Sequence, residues 1–67
     1  MKKNNYDLYF LNQGHGPSLT ASTDANARRS AAALCRQIGW ANSAGSLVRK
    51  TDKGPVTVAT FKTAADL

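Results

Sequence analysis

The chain has 67 residues, and a domain near this size buries only about 60% of the surface that its unfolded chain exposes, which excludes a large enclosed active site. One cysteine excludes an intramolecular disulfide framework, and a hydrophobic fraction of 42% with 19% charged residues excludes a disordered chain. Nine Lys and Arg residues against four Asp residues give a net charge of +5, which favours an anionic partner, although such a charge is also ordinary for a small soluble domain.

The first third of the chain predicts two strands joined by a turn. Residues 1–5 are polar, so we expect them to be frayed. Alternating apolar residues predict a strand over Tyr6–Leu11, with its first, third and fifth residues towards the core. Asn12–Pro17 contains two glycines and a proline and predicts a turn. The small side chains of Ser18–Ser22 then predict a weak edge strand.

Signals for the start, the buried face and the end of a helix coincide between Thr23 and Trp40. Thr23 predicts the N-cap, and Gly39 predicts the left-handed residue of a Schellman motif. An apolar stripe at helical spacing is predicted to face the core: Ala27, Ala31, Leu34, Cys35 and Ile38. The opposite side is predicted to be a basic face in solvent with small residues between its cations: Arg28, Arg29, Arg36, Ala25 and Ala32.

The remainder of the chain predicts a second hairpin. Ala41–Gly45 consists mainly of small residues and predicts a loop before the strand Ser46–Thr51. A three-residue loop, Asp52–Gly54, is predicted to lead into the last strand, Pro55–Lys62. Residues 63–67 are expected to form a short frayed tail.

These elements predict an α+β fold of order ββαββ, in which a single helix packs on a mainly antiparallel four-stranded sheet. Residues 1–67 then form a single small domain. In the second hairpin the expected register places Leu47 opposite Ala59 and Val48 opposite Val58. Because a slip of one residue would exchange the two faces of the strand, the sequence does not fix this register.

The basic residues form two groups, which are the candidate residues for binding an acidic protein surface or a nucleic acid. The helix group is Arg28, Arg29 and Arg36, and the hairpin group is Arg49, Lys50 and Lys53. Arginine matches phosphates and carboxylates equally well, and a merely solvated helix face is the alternative. Aromatic residues are few and most are needed for the core, and no known nucleic-acid-binding motif is present, which disfavours sequence-specific DNA reading.

No residue pattern typical of an enzyme or a metal site is found. His15 lies between two glycines in the predicted turn, where catalysis would need an orienting carboxylate and a reacting group, and the sequence gives evidence for neither. Cys35 belongs to the apolar stripe, and one Cys with one His cannot form a tetrahedral zinc site without carboxylates from elsewhere. We therefore expect a non-enzymatic protein without cofactor or metal.

The sequence contains no signal-like apolar run and no membrane-spanning stretch. We therefore expect a soluble cytoplasmic protein that does not contact a membrane.

Two hairpins flank one capped helix in this layout: YDLYFLNQGHGPSLTAS, TDANARRSAAALCRQIG and SLVRKTDKGPVTVATFK. The layout resembles that of very small phage-encoded or mobile-element inhibitors such as anti-CRISPR proteins, and it covers the whole chain without a shared motif. The resemblance implies inhibition by occlusion, with the basic face occupying a site on a nuclease or its guide complex in the host cytoplasm. Acidic inhibitors of this kind imitate DNA, and the charge of +5 argues against that mechanism.

Three functions are compatible with the sequence. The first is a non-enzymatic module that docks its basic residues on an acidic protein or nucleoprotein complex, such as a phage inhibitor of a host defence nuclease. The second is weakly specific binding of DNA or RNA through the same residues. The third is a homodimer formed by the helix or by an exposed strand edge, because Tyr9 and Leu11 lack an obvious cover.

Overall fold

A computed structural model describes residues 3–67 as a four-stranded antiparallel sheet with one long helix packed on one face. The strands and the helix are, in chain order, β1 (Asn4–Phe10), β2 (Gly14–Ala21), α1 (Asp24–Gln37), β3 (Gly45–Thr51) and β4 (Gly54–Phe61). The strand order in the sheet is β2-β1-β3-β4. This confirms the predicted α+β fold of order ββαββ and places β2 at an edge, as predicted.

The core lies between α1 and the sheet. The large side chains come from the sheet, because β1 points Tyr6, Leu8 and Phe10 towards the helix and all three are at most 3% exposed. The helix contributes smaller residues, among them Ala27 and Cys35, which are fully buried. The predicted core face of the first strand is therefore confirmed.

The ends of α1 follow the predicted capping signals. The Thr23 hydroxyl oxygen accepts a hydrogen bond from the backbone N–H three residues later, at 3.1 Å. At the other end Gly39 has a φ of +83°. The Trp40 N–H donates to the Cys35 carbonyl at 2.8 Å and the Gly39 N–H donates to the Arg36 carbonyl at 3.3 Å. These two bonds form the predicted Schellman motif.

Two residues at the helix differ in burial from the prediction. Ile38 is 40% exposed, since it is the C-cap and follows the last residue of α1. Ala32 is only 7% exposed, although it was assigned to the basic face. The C-terminal residues account for its burial, since Ala64–Asp66 forms a 3₁₀ turn that packs against α1.

The C-terminal residues are ordered, and the expectation that 63–67 are frayed is wrong. The Asp66 carboxylate accepts hydrogen bonds from the backbone N–H groups of Lys62 at 2.9 Å and Thr63 at 3.3 Å. Ala64 is 2% exposed, and its N–H donates to the Ala41 carbonyl at 2.8 Å. A capped turn with a buried alanine therefore closes one side of the core.

The first hairpin is longer than predicted. β1 begins at Asn4, so the expected fraying of residues 1–5 does not extend to Asn4 and Asn5, while residues 1 and 2 lie outside the described residues. β2 begins at Gly14, so the last four of the six residues of the predicted turn belong to the strand. Gly16 and Pro17 fall at an irregularity of the β1–β2 pairing in an edge strand, where a missing proline N–H is tolerated.

The register of the second hairpin changes along its length. Leu47 pairs with Ala59 as predicted, but Val48 pairs with Thr57 and not with Val58. Val58 is an extra residue at a bulge, and beyond it every partner is shifted by one. The connecting turn is accordingly two residues long, Asp52 and Lys53, and not the predicted three.

Candidate functional site

The exposed side of α1 carries two arginines that point in nearly the same direction. Arg29 and Arg36 are seven residues apart, so they lie within about 20° of each other around the helix and about 10 Å apart along its axis. Both are exposed, as are the small residues Ala25 and Ala33 beside them. Among residues 3–67, no carboxylate lies within 4.0 Å of either guanidinium. We call these four residues the helix arginine face.

Arg28 does not belong to the helix arginine face. It lies about 100° from Arg29 around the helix, and its Nη2 donates a hydrogen bond to the Asp66 carbonyl at 3.1 Å. Ala32, one turn later, is buried. The predicted face of three arginines is therefore reduced to two, because the C-terminal turn occupies the neighbouring side of the helix.

The hairpin group is divided between the two faces of the sheet, because consecutive strand residues point in opposite directions. Arg49 lies on the helix side, where its Nη1 is 3.1 and 3.0 Å from the two carboxylate oxygens of Asp24. The Tyr6 hydroxyl donates to the same carboxylate at 2.7 Å. Burial raises the pKa of Tyr6, and its bond to Asp24 raises it further. Arg49 therefore ties β3 to the first turn of α1.

Lys50 lies on the other face of the sheet, over a buried carboxylate. Asp7 in the central strand β1 is 2% exposed and faces away from the helix. The Ser18 hydroxyl donates to its Oδ1 at 2.6 Å, His15 Nε2 lies 3.4 Å from the same oxygen, and Lys50 Nζ lies 3.3 Å from Oδ2. The bond from Ser18, followed by Lys50 and His15, lowers the pKa of Asp7, although burial acts in the opposite direction.

The sequence offers no evidence for a carboxylate near His15, and the structure places one there. Asp7 supplies one, but Ser18 and His15 both approach the same carboxylate oxygen. In a Ser-His-Asp relay the histidine lies between the other two groups. The arrangement around Asp7 has the carboxylate in the middle and is not a relay of that kind.

The sequence carries one signal for this cluster. Asp7 is a charged residue between two core residues of a strand, Tyr6 and Leu8, and a charge in a central strand needs partners from both neighbouring strands. Those partners could be named only once the strand order was known, because Ser18 comes from β2 and Lys50 from β3.

The remaining predicted binding residue, Lys53, is exposed in the turn between β3 and β4. Its backbone N–H donates to the Thr51 hydroxyl oxygen at 3.3 Å, and it lies outside α1. Of the six predicted residues, the structure thus brings only Arg29 and Arg36 together on one exposed face.

No group of three or more His, Cys, Asp or Glu residues within the described range 3–67 is placed to hold a metal ion. Within the same range, no helix has the length and apolar character needed to cross a membrane. Comparison of the chain with protein-family models, curated proteins and solved structures gives no match.

Proposed function

We propose that this protein is a non-enzymatic binding module whose helix arginine face docks on an acidic surface of a protein or nucleoprotein partner. The observation that carries the proposal is the position of Arg29 and Arg36, which lie on the same exposed side of α1 with no carboxylate within 4.0 Å among the described residues. Two cations of the hairpin are instead held by aspartates of the same chain.

The distribution of the aspartates supports this choice of face. The four aspartates are each placed away from the exposed side of α1: Asp7, Asp24, Asp52 and Asp66. Two of them are ion-paired, one caps the C-terminal turn and one lies in the β3–β4 turn. Residues 25–37 therefore carry three positive charges and no negative one. A field of one sign along residues 25–37 steers an oppositely charged surface towards this part of the helix.

The shape of the face suits arginine chemistry. A guanidinium presents a planar fork of N–H donors to a carboxylate, and Ala25 and Ala33 leave room for a partner to approach the helix backbone. Arginines that become desolvated at the centre of an interface often contribute more than 1 kcal/mol each. Because the two arginines lie about 10 Å apart along the helix, one acidic patch can contact both.

An inhibitor that occludes a site on a host defence nuclease is the form of this function that the resemblance to small phage proteins implies. In that form the helix arginine face would occupy an acidic site of the nuclease or of its guide complex. The direct measurement is cleavage of a matched target DNA by a purified RNA-guided nuclease with and without the protein. Protection of the DNA that is lost in the helix variant described next would support this form.

The test of the docking proposal compares two variants of equal charge. Arg29→Gln with Arg36→Gln removes the helix arginine face, and Lys53→Gln with Lys62→Gln removes two exposed lysines elsewhere. Each lowers the formal net charge from +5 to +3. We expect the lysine variant to capture the same proteins from a bacterial lysate as the wild type. The arginine variant should bind these proteins at least about tenfold more weakly. Equal capture by the wild type and the arginine variant would contradict the proposal.

Direct binding of DNA or RNA through the same arginines is distinguished in the same experiment. Treatment of the lysate with a nonspecific nuclease removes partners that are captured only through nucleic acid. If two arginines neutralise two phosphates of duplex DNA, the logarithm of the affinity should fall with the logarithm of salt concentration with a slope of about −1.8. If capture disappears after nuclease treatment, the partner is nucleic acid and not an acidic protein surface.

A further inference from the structure

The face of the sheet that points away from α1 carries two aromatic rings. Tyr9 lies on this face and is 40% exposed, and the His15 side chain beside it is 55% exposed. Their ring centroids are 5.1 Å apart in an edge-to-face arrangement at 71°. The sequence suggested that most aromatic residues are used in the core, but this pair remains accessible on the sheet.

A fixed cation lies next to these rings. Lys50 Nζ is 3.3 Å from Asp7 Oδ2, and the lysine side chain is 60% exposed whereas the aspartate side chain is 3% exposed. The negative group therefore lies beneath the positive one. A lysine ammonium has three N–H donors, and the single contact to Asp7 leaves two of them for a ligand.

The ring and the cation line one shallow cavity. It has a volume of about 280 Å³ and is bordered by Tyr9, Lys50 and Pro55, with Asp7 at its floor. Because Asp7 is two residues from Tyr9 in the strand, the ammonium lies about 7 Å along the strand from the tyrosine. Lys50, Lys3 and Arg49 line an adjoining cavity of about 270 Å³, together with the carboxylate of Asp52. Arg49 is held by Asp24 on the helix side, so the Tyr9 ring is followed along the open face by two lysines.

We propose that this open face binds single-stranded nucleic acid, with a base stacked on Tyr9 and the phosphates that follow it on Lys50 and Lys3. Sheet-borne aromatic rings with cations beside them are the arrangement that stacks unpaired bases and follows their backbone. A duplex offers no base face for stacking, which selects single strands. The two cations in sequence favour a strand over a single nucleotide.

The inference does not rest on the proposed function of the helix arginine face, because α1 lies on the other side of the sheet. Arg29 and Arg36 make no contribution to the cavities described here. The two proposals can therefore fail separately.

The experiment measures anisotropy of fluorescein-labelled 12-residue oligothymidine with the full chain at about 50 mM salt. We expect Tyr9→Ala to weaken binding about tenfold and Tyr9→Phe, which keeps the ring, to change it less than twofold. Lys3→Gln should make the salt dependence shallower by about 0.7 in the log–log slope, the value for one phosphate of a single strand. Leu11→Ala, at a neighbouring residue that is 81% exposed, is the matched control and should have no effect.

An abasic 12-residue strand keeps the proposal falsifiable if Tyr9→Ala does not fold. The wild type should bind this strand about tenfold more weakly than oligothymidine, because the phosphates remain and the stacking bases are removed. Equal binding of the two strands, tighter binding of duplex DNA, or no binding of oligothymidine at about 100 μM protein would each overturn the proposal. Loss of binding in the Arg29→Gln, Arg36→Gln variant with none in Tyr9→Ala would also overturn it.

Discussion

Replacing Asp7 by asparagine should destabilise the protein by about 2 kcal/mol at pH 7. Most of this loss comes from the hydrogen bond that the Ser18 hydroxyl donates to the charged Asp7 carboxylate at 2.6 Å. A hydrogen bond to a charged group contributes roughly 1.5–3 kcal/mol. The pair with Lys50 adds less than about 1 kcal/mol, because the lysine is 60% exposed and screened by water. For a chain of this length, whose total stability is of the order of 3–10 kcal/mol, this loss is large.

The measurement is urea unfolding followed by the fluorescence of Trp40, the only tryptophan. Its ring packs against Phe10 with centroids 4.9 Å apart, so it reports on the core. Ser18→Ala and the double variant complete a mutant cycle, in which we expect a coupling of about 1 kcal/mol between Asp7 and Ser18. Strictly additive effects, or a loss below about 0.5 kcal/mol in Asp7→Asn, would refute the reasoning.

The same variant should change the pH dependence of stability in acid. The pKa of Asp7 in the folded protein lies below its ordinary value of 3.8. Its contribution is therefore fully present above that value and is lost as the pH falls through the lower folded pKa. The difference in the free energy of unfolding between the wild type and Asp7→Asn should therefore shrink below about pH 4. The pKa of Asp66 is also lowered, by its bonds to the Lys62 and Thr63 N–H groups, but Asp66 titrates in both proteins and does not affect the difference. A constant difference down to about pH 2 would contradict this assignment.

Three further substitutions test individual contacts in the same urea experiment. Gly45→Ala should cost more than about 3 kcal/mol or prevent folding, because a Cβ at this position would overlap the backbone carbonyl of Tyr9; far-ultraviolet circular dichroism distinguishes the two outcomes. Thr23→Ala should cost about 1 kcal/mol through loss of the helix N-cap, and Thr23→Ser, which keeps the hydroxyl, is its control. Arg49→Met should cost less than about 1 kcal/mol, since its pair with Asp24 is partly exposed on both sides; a loss above about 2 kcal/mol would show that we underestimate this pair.

Features that depend on neighbours in the chain were predictable from the sequence. The N-cap Thr23 and the Schellman residue Gly39 act within one helical turn, so both ends of α1 could be read from local residues. The core face of β1 follows from its alternating pattern, because alternate strand residues share a face. The element order ββαββ is then compatible with few arrangements other than one helix packed on an antiparallel sheet.

Features that depend on pairing between distant segments were not predictable in the same way. The bulge at Val58 shifts the register of the second hairpin, and the pattern GPVTVATF has β-branched residues on both sides of it. Ala32 is buried by the C-terminal turn, more than 30 positions later in the chain. The partners of Asp7 required knowledge that β1 pairs with both β2 and β3. Without the strand order, Lys50 could not be recognised as the ion-pair partner of Asp7, so the sequence grouped it with the candidate binding residues.

The two proposed surfaces should differ in their response to salt, and the reason lies in how the aspartates are distributed. An antiparallel sheet can leave one face in water, and here the open face contains its own carboxylate, Asp7, beneath the cation Lys50. Binding there should depend mainly on stacking on the Tyr9 ring, which salt does not screen, and two phosphates of a single strand add a slope of about −1.4. The helix arginine face has no such internal carboxylate and no ring, so its attraction is almost entirely coulombic and should weaken steeply at ionic strengths above about 0.15 M. A partner that carries both an acidic surface and an unpaired strand could therefore remain attached through the sheet after salt has released the helix.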